Sequence, residues 1–168
     1  RPPAESAENR EHIFKARRLV IGSAILMTFP LAIEGVPMIE LLYDPRYHLA
    51  GPIVVMCCFA CVPQIIFRGY GGILLANGDS KRHFILLTTT AVAQLGFLFA
   101  GVIWLGLFGA ILAPALAALL THPMRVAFVK RYKAWDQLGE SAFLILGLGI
   151  NGLICWAQWD QISRLIPT

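Results

Sequence analysis

An arginine stands inside a long apolar stretch of the chain, IIFRGYGGILL. Arg68 is followed closely by Gly69, Gly71 and Gly72, which have no side chains and leave space beside its guanidinium group. A guanidinium group is planar and can donate to two oxygens of a phosphate group at once. These residue types at this spacing predict an anion-binding site, provided that Arg68 faces a protein interior rather than lipid.

The composition of the chain is typical of an integral membrane protein. Hydrophobic residues make up 57% and charged residues 14% of its 168 residues, whereas soluble domains have about 45–50% and about 25%. The apolar residues form long blocks, and about 20 apolar residues in a helix cross a hydrocarbon core of about 30 Å. The sequence therefore predicts an all-α, polytopic membrane helix bundle with about five transmembrane helices. They are expected at residues 19–43, 49–76, 84–103, 108–129 and 142–159.

The lysines and arginines indicate how these spans are oriented. Eleven of the 14 lie before the first span, in the second and fourth connections or, like Arg125, near the end of the fourth span. Arg46 and Arg164 lie on the other side, and Arg68 lies in the middle of a span. Because cytoplasmic loops carry the excess of basic residues, residues 1–18 are predicted to be a basic cytoplasmic lead-in and residues 160–168 an outer tail. The net charge of +4 follows from this bias, and no basic patch interleaved with aromatic residues indicates a nucleic-acid partner.

The sequence contains no pattern that is typical of catalysis or of a cofactor. Cys57 and Cys61 share a helix face, but no histidine or carboxylate accompanies them, so no metal site is predicted. There is no glycine-rich nucleotide-binding loop and no Ser/His/Asp arrangement, and the predicted outer loops are short. We expect a protein that is not an enzyme, with no catalytic residue, no metal and no cofactor.

Arg68 is expected about 12 Å from the cytoplasmic end of its helix. A charge near the middle of a bilayer costs at least about 2.5–3.5 kcal/mol, which favours an interior or water-filled position. Three interpretations remain open: contact with a transported anion, pairing with a structural partner such as Glu34, or snorkelling to the interface. Glu34, Gln64 and Gln94 are the other candidates for binding in a cavity. For Glu34 the alternative is contact with the outer interface, and for the two glutamines it is hydrogen bonding between helices.

Prolines and glycines inside the spans predict points where helices can bend. Each proline removes a backbone hydrogen bond and tends to kink its helix, although prolines also occur in bundles that do not move. Small residues recur at the spacing that favours close helix contact, Gly96 with Ala100 and Ala113 with Ala117. The candidate hinges are Pro30, Pro63, Gly69, Gly71, Gly72 and Pro114.

Three stretches of the chain carry a resemblance to a known family. They are IELLYDPRYHLAGPIVVMCCFACV, GGILLANGDSKRHFILLTTT and GLFGAILAPALAALL. The features are the segment from Tyr43 to Tyr47 before a new span, Gly78 after the LLA run, and the turn from Gly106 to Gly109 into an alanine-rich helix. These stretches resemble the C-terminal half of polysaccharide (O-antigen-type) flippases, and the resemblance covers most of the chain. These flippases belong to the multidrug/oligosaccharidyl-lipid/polysaccharide exporter superfamily.

The resemblance implies a two-lobed, all-helical transporter in the bacterial inner membrane. Such a protein moves undecaprenyl-pyrophosphate-linked oligosaccharide across the membrane by alternating between inner-open and outer-open states. The chain, which does not begin with Met, would then be a fragment of the larger transporter, with the N-terminal lobe missing. The family's basic cavity makes Arg68 the first candidate for binding the pyrophosphate. The alternatives are a drug/cation antiporter of the same superfamily, a membrane polymerase or ligase, and a structural membrane subunit.

Overall fold

The computed structural model describes residues 7–132 and 135–165, and these residues are almost entirely helical, with no strand among them. Arg1, Lys133 and the last three residues of the predicted outer tail lie outside the described residues. The elements are α1 (Ala7–Leu42), a 3₁₀ turn (Pro45–Tyr47), α2 (Ala50–Ala76), α3 (Ser80–Lys130), α4 (Gln137–Ala157), α5 (Trp159–Ile162) and a final 3₁₀ turn (Ser163–Leu165).

The longest helix, α3, consists of two arms that meet at Gly106. This residue has φ 59° and ψ −135°, a backbone conformation that residues with a side chain rarely adopt. It divides α3 into residues 80–105 and residues 107–130, which are about 39 and 36 Å long at 1.5 Å per residue. Each arm is long enough to cross a hydrocarbon core of about 30 Å.

The two arms of α3 run antiparallel and are in contact. A Cβ atom built on Gly101 would lie 2.6 Å from the carbonyl oxygen of Gly109, so the two backbones touch beside the turn. Further along, the hydroxyl oxygens of Thr90 and Thr121 are 3.4 Å apart. The helix is therefore a hairpin, and it accounts for the third and fourth predicted spans.

Membrane-crossing helices make up most of the described chain. Helices α1 to α4 are all long and apolar enough to cross a membrane, and the hairpin in α3 raises the number of crossing segments in the described residues to five. The outside of the bundle carries many exposed large apolar side chains, such as Leu41, Phe84 and Ile103, which are suited to contact with lipid or with another apolar protein surface. The protein is a multi-pass membrane protein with an all-α fold, as the sequence predicts.

Helices α1, α3 and α4 begin earlier than the hydropathy of the sequence predicts, α3 at Ser80 instead of residue 84. Helix α1 starts at Ala7 instead of residue 19, so the described part of the basic lead-in is a continuation of the first span. An i,i+4 ion pair of 2.7 Å between Glu11 and Lys15 supports this extension. Helix α4 begins at Gln137, because the side chain of Asp136 accepts a hydrogen bond from the backbone of Gly139 and caps the helix.

Helix α2 lies at the centre of the bundle and contacts α1, α3 and α4. Its side chains at Val62, Ile66 and Leu74 are fully buried. Close backbone approach helps to hold α1 against it, since a Cβ atom on Gly51 would lie 2.9 Å from the Cα atom of Val36. Residues on α2 are therefore within reach of all the other long helices.

The three segments that are predicted to be cytoplasmic lie together at one end of the bundle. Tyr132 donates its hydroxyl to Oδ2 of Asp79 at 2.6 Å, and so links the connection after α2 to the end of α3. Arg18 on α1 donates to both carboxylate oxygens of Asp136, at 2.6 and 2.7 Å. We call this end, where α1 and α4 begin and α2 and α3 meet, the basic end.

The Arg18–Asp136 pair predicts a stability that depends on pH. Hydrogen bonding from Arg18 lowers the pKa of the Asp136 carboxyl, so its contribution is complete above about pH 4, the usual aspartate range. The contribution is lost as pH falls further and the carboxylate takes up a proton. We expect Asp136→Asn, which retains a capping side chain, to lower stability at pH 7 by about 1 kcal/mol, since Arg18 is half-exposed.

Thermal unfolding in detergent at pH 7 and at about pH 3 measures this effect. The difference in Tm between the wild type and Asp136→Asn should shrink at the lower pH. Asp160→Asn is the control, because Asp160 is exposed at the opposite end of the bundle. A constant difference in Tm across the pH range would contradict the assignment.

Candidate functional site

A cavity of about 290 Å³ lies between α2 and both arms of α3. The contribution of α2 comes from residues spaced i, i+4 and i+7, which lie on one face of a helix. The first arm of α3 presents a similar face towards it. We call this space the α2–α3 cavity. The polar side chains that line it are Gln64, Arg68, His83, Thr90, Gln94 and Arg125.

Three of the four predicted binding residues lie around this one cavity. Arg68, Gln64 and Gln94 all line it, and so does the candidate hinge Pro114. Glu34 does not line it, and its side chain is exposed on α1. Among the described residues, no carboxylate forms an ion pair with Arg68. The structural pairing of Arg68 with Glu34 is therefore not formed.

Arg125 is a second cation of the cavity, and the sequence analysis treated it only as a basic residue near a helix end. Its side chain is 8% exposed, and Nη1 donates to the carbonyl oxygen of Phe67 at 2.9 Å. Nη2 lies 3.4 Å from the hydroxyl oxygens of Thr90 and Thr121. Its buried Nε atom has no acceptor among the described residues. Arg125 is therefore held in a fixed orientation with one donor unused.

The glycines next to Arg68 make room for other side chains. A Cβ atom on Gly71 would lie 3.0 Å from Cε1 of His83, and one on Gly69 would lie 3.2 Å from Nε of Arg17. Beside Gly72 there is open space within 4 Å. Gly71 therefore leaves space for the imidazole of His83, and Gly69 leaves space for the guanidinium of Arg17. Neither of these contacts involves the side chain of Arg68.

The candidate hinge prolines lie within continuous helices. Pro30 is inside α1, Pro63 is inside α2 and Pro114 is in the second arm of α3. Pro63 is fully buried in the core. Bending at these positions and at the glycines of α2 stays a prediction.

The α2–α3 cavity has the charge and hydrogen-bonding groups of an anion site. Arg68 and Arg125 carry positive charge, and none of the described residues that line the cavity is a carboxylate. Interactions between charges strengthen where water is displaced by a medium of lower dielectric constant. Thr90, Gln64 and Gln94 add neutral groups that can hydrogen-bond phosphate or sugar oxygens. The arrangement is suited to binding a polar anionic group rather than to bond breaking.

The spacing of polar residues in the sequence predicts part of this site. His83, Thr90 and Gln94 recur at intervals of seven and four residues in the first arm of α3, and Thr121 and Arg125 are four residues apart in the second. Such intervals place side chains on one face of a helix. The sequence alone does not show that these two faces meet.

Comparison with known proteins finds no family model, no curated protein and no solved structure that matches the chain. Any functional inference therefore depends on the α2–α3 cavity, on the membrane-crossing helices that form it, and on the pattern of the sequence.

Proposed function

We propose that the protein is part of a flippase that moves a lipid-pyrophosphate-linked oligosaccharide across the bacterial inner membrane by alternating access. One observation carries the proposal: Arg68 and Arg125 line the same cavity between membrane-crossing helices, and no carboxylate of residues 11–132 or 135–165 lines it with them. A basic cavity within a membrane fits an anionic substrate that has to pass through the apolar layer.

The physical task of a flippase explains why two arginines would be useful. A pyrophosphate group loses its hydration when it leaves water, and this loss has to be offset by charge and hydrogen bonds from the protein. Arginine offers two parallel donors to phosphate oxygens and remains charged when partly buried. Arg125 is already desolvated and oriented, while Arg68 is exposed and able to meet a substrate at the mouth of the cavity.

The sequence pattern supports the same proposal. The stretches around Tyr43–Tyr47, Gly78 and Gly106–Gly109 resemble the C-terminal half of polysaccharide flippases. In this proposal the other wall of the transport path comes from an N-terminal lobe of the same transporter. The first arm of α3, in which only Leu86 is buried, offers an apolar surface for such a lobe.

A drug/cation antiporter of the same superfamily is less well supported by the geometry. A cationic substrate favours carboxylates in the cavity, and the candidate for that role, Glu34, is exposed on α1. The described residues that line the α2–α3 cavity carry positive or no charge. The charge of the cavity therefore favours an anion.

Replacing Arg68 tests the proposal in the full-length transporter. We expect Arg68→Ala to lower the rate of lipid-linked oligosaccharide translocation about tenfold, which corresponds to about 1.4 kcal/mol, because an exposed arginine contributes one partly hydrated contact. Arg68→Lys should retain part of the rate, since it keeps the charge and loses the planar fork. Translocation is measured in cells or proteoliposomes at matched protein levels.

Arg46→Ala is the matched control, because Arg46 is an exposed arginine in the connection at the opposite end of α2. It should leave the translocation rate unchanged. If both Arg68 variants translocate at the wild-type rate, the assigned role of Arg68 is wrong.

A further inference from the structure

Two arginines from different helices donate hydrogen bonds to neighbouring carbonyl groups of α2. Nη2 of Arg17, on α1, lies 3.1 Å from the carbonyl oxygen of Ile66. Nη1 of Arg125, in the second arm of α3, lies 2.9 Å from the carbonyl oxygen of Phe67. The side chains of Ile66 and Phe67 are fully buried. The backbone of α2 therefore receives two charged donors at one level of the bundle.

Each of these carbonyl groups already has a partner within α2. In a continuous α-helix, a carbonyl group accepts from the N–H group four residues later, and α2 is continuous from Ala50 to Ala76. The helical donor to Ile66 is therefore Tyr70, and the helical donor to Phe67 is Gly71. A carbonyl oxygen has two lone pairs and can accept both hydrogen bonds. Each arginine is thus a second donor, which stays in place if the helical hydrogen bond breaks.

The turn of α2 that supplies the helical donors has little intrinsic stability. Three of the four residues from 69 to 72 are glycines, and glycine favours a helix less than alanine does because its backbone loses more freedom. Gly71 lines the α2–α3 cavity. Beside Gly72, apart from the backbone of its own helix, no described atom lies within 4 Å of the position that a Cβ atom would occupy. Water in this space could accept from N–H groups that leave the helix.

Opening of a helix inside a membrane is normally opposed by the carbonyl groups that lose their donors. The hydrocarbon layer contains no water to replace the lost hydrogen bonds, and burying a polar group without a partner is costly. This cost is reduced in α2, because Arg17 and Arg125 already donate to the two carbonyl oxygens concerned. The two arginines therefore lower the free energy of opening at this turn.

We propose that α2 opens at residues 69–72, and that Arg17 and Arg125 hold the carbonyl groups that this opening frees. The moving part consists of the end of α2 and the first arm of α3, which are joined by residues 77–79. In the first arm only Leu86 is buried, so few core contacts oppose its displacement. Because Gly71 lines the α2–α3 cavity, opening at this turn changes the width of the cavity. The inference does not depend on which solute the cavity accepts.

One hydrogen bond at the basic end opposes this movement. Asp79, in the connection between α2 and α3, accepts from the hydroxyl of Tyr132 at 2.6 Å. This contact holds the connection against the end of α3. Tyr132→Phe removes the donor and retains the ring, so opening should become more frequent in this variant.

Amide hydrogen exchange of the full chain in lipid nanodiscs measures the opening. The rates at Tyr70 and Gly71 are resolved by residue and corrected for the intrinsic rate of each residue type. In the wild type, both amides should exchange about tenfold faster than those of Ile65 and Ile66, because the glycines weaken the later turn. Tyr132→Phe should exchange faster still at both positions.

Replacing the arginines distinguishes this role from that of a simple brace. Arg17→Met should slow exchange at Tyr70 about tenfold, since opening then leaves the carbonyl group of Ile66 without a donor. Arg125→Met should have the same effect at Gly71. If the arginines only held the helices together, their removal would make exchange faster. Arg17→Lys retains a donor and should keep most of the wild-type rate.

Lys15→Met is the matched control for Arg17, because Lys15 is an exposed cation on the same helix. It should leave the exchange of α2 unchanged. Exchange at Tyr70 that is faster in Arg17→Met than in the wild type, or equal to it, would overturn the proposal. If Arg17→Met does not fold, the same outcomes at Gly71 in Arg125→Met decide the question.

Gly72→Ala tests the opening without altering either arginine. Alanine has room at this position and stabilises the helix, so exchange at Tyr70 and Gly71 should slow about fivefold. Gly149→Ala is the control, since it also adds a Cβ atom in open space, but on α4. Equal exchange in the wild type and Gly72→Ala would show that α2 does not open at this turn. None of these measurements uses a transported substrate, so their failure is distinct from failure of the flippase proposal.

Discussion

Replacing Gly101 with alanine is expected to destabilise the helical hairpin of α3 by about 1–3 kcal/mol, the usual cost of inserting a group into a filled space. The added Cβ atom would lie 2.6 Å from the carbonyl oxygen and 2.7 Å from the carbonyl carbon of Gly109. Both are backbone atoms, so no side chain can rotate away, and the two arms have to separate. Separation removes the contacts that hold the arms together beside the turn at Gly106.

A double-mutant cycle makes this prediction specific. Gly109→Ala should cost a similar amount, because its Cβ atom would lie 2.7 Å from the Cα atom of Gly101. Once one substitution has separated the arms, the second has less to disturb, so the double variant should lose less stability than the two separate losses combined. Chemical or thermal unfolding in detergent, followed by circular dichroism, measures the three values.

Gly96→Ala is the matched control on the same arm. Apart from the backbone of its own helix, no described atom lies within 4 Å of the position that its Cβ atom would occupy. Alanine favours a helix more than glycine does by about 1 kcal/mol. The control should therefore be as stable as the wild type or more stable. Equal losses from Gly96→Ala and Gly101→Ala would contradict the assigned contact.

The same comparison shows how far small residues in a sequence predict helix contacts. The sequence analysis selected Gly96 with Ala100 and Ala113 with Ala117, whose spacing is typical of packed helices. Gly96 is exposed, whereas Ala113 and Ala117 are fully buried. The closest contact is at Gly101 and Gly109, which are near each other only because the chain reverses at Gly106. Local spacing identifies residues that could pack, and the position of a turn determines which of them do.

Membrane spans were predictable because hydropathy is a local property of the chain. The apolar blocks correspond to α1, α2, the two arms of α3 and α4. The extension of α1 back to Ala7 was not predictable from hydropathy, because this helix continues through polar residues beyond the apolar layer. At about 54 Å, α1 is longer than the layer of about 30 Å that its apolar part can cross.

The candidate site was only partly predictable, since the rarity of a polar residue in an apolar run does not show the direction in which it points. The sequence analysis selected Arg68, Gln64 and Gln94 because polar residues are rare in apolar runs, and these three residues line one cavity. For the same reason it selected Glu34, which lies elsewhere, on the exposed side of α1. It missed Arg125, since an arginine near a basic helix end is expected from topology. The side of the membrane on which a basic residue lies and the extent to which it is buried are separate properties. The burial depends on how the helices pack.

Arg125 is expected to have the largest effect on transport of any single residue in the α2–α3 cavity. Arg125 is 8% exposed, and its Nε atom is buried. An anion that meets this unused donor gains a charge-assisted hydrogen bond with little further loss of water. Such bonds contribute about 1.5–3 kcal/mol. Arg125→Met should therefore lower the translocation rate about 10- to 100-fold, since each 1.4 kcal/mol is about tenfold.

Methionine is chosen because it fills most of the volume of arginine and removes only the polar head. The carbonyl oxygen of Phe67 then loses its donor, which costs about 1–3 kcal/mol of stability, so protein levels have to be matched. Arg125→Lys retains the charge. Its single ammonium group lacks the planar arrangement of donors with which the guanidinium contacts Phe67, Thr90 and Thr121. An intermediate rate is expected for this variant.

Arg131→Met is the matched control for Arg125, since Arg131 is an exposed arginine at the C-terminal cap of the same helix. It should transport at the wild-type rate. If Arg125→Met also transports at that rate while it is folded, the buried cation acts only as a brace between α2 and α3, and the anion is bound elsewhere. If transport falls in Arg125→Met and not in Arg131→Met, the decisive property is the position of the charge inside the cavity and not the number of basic residues at that end of the bundle.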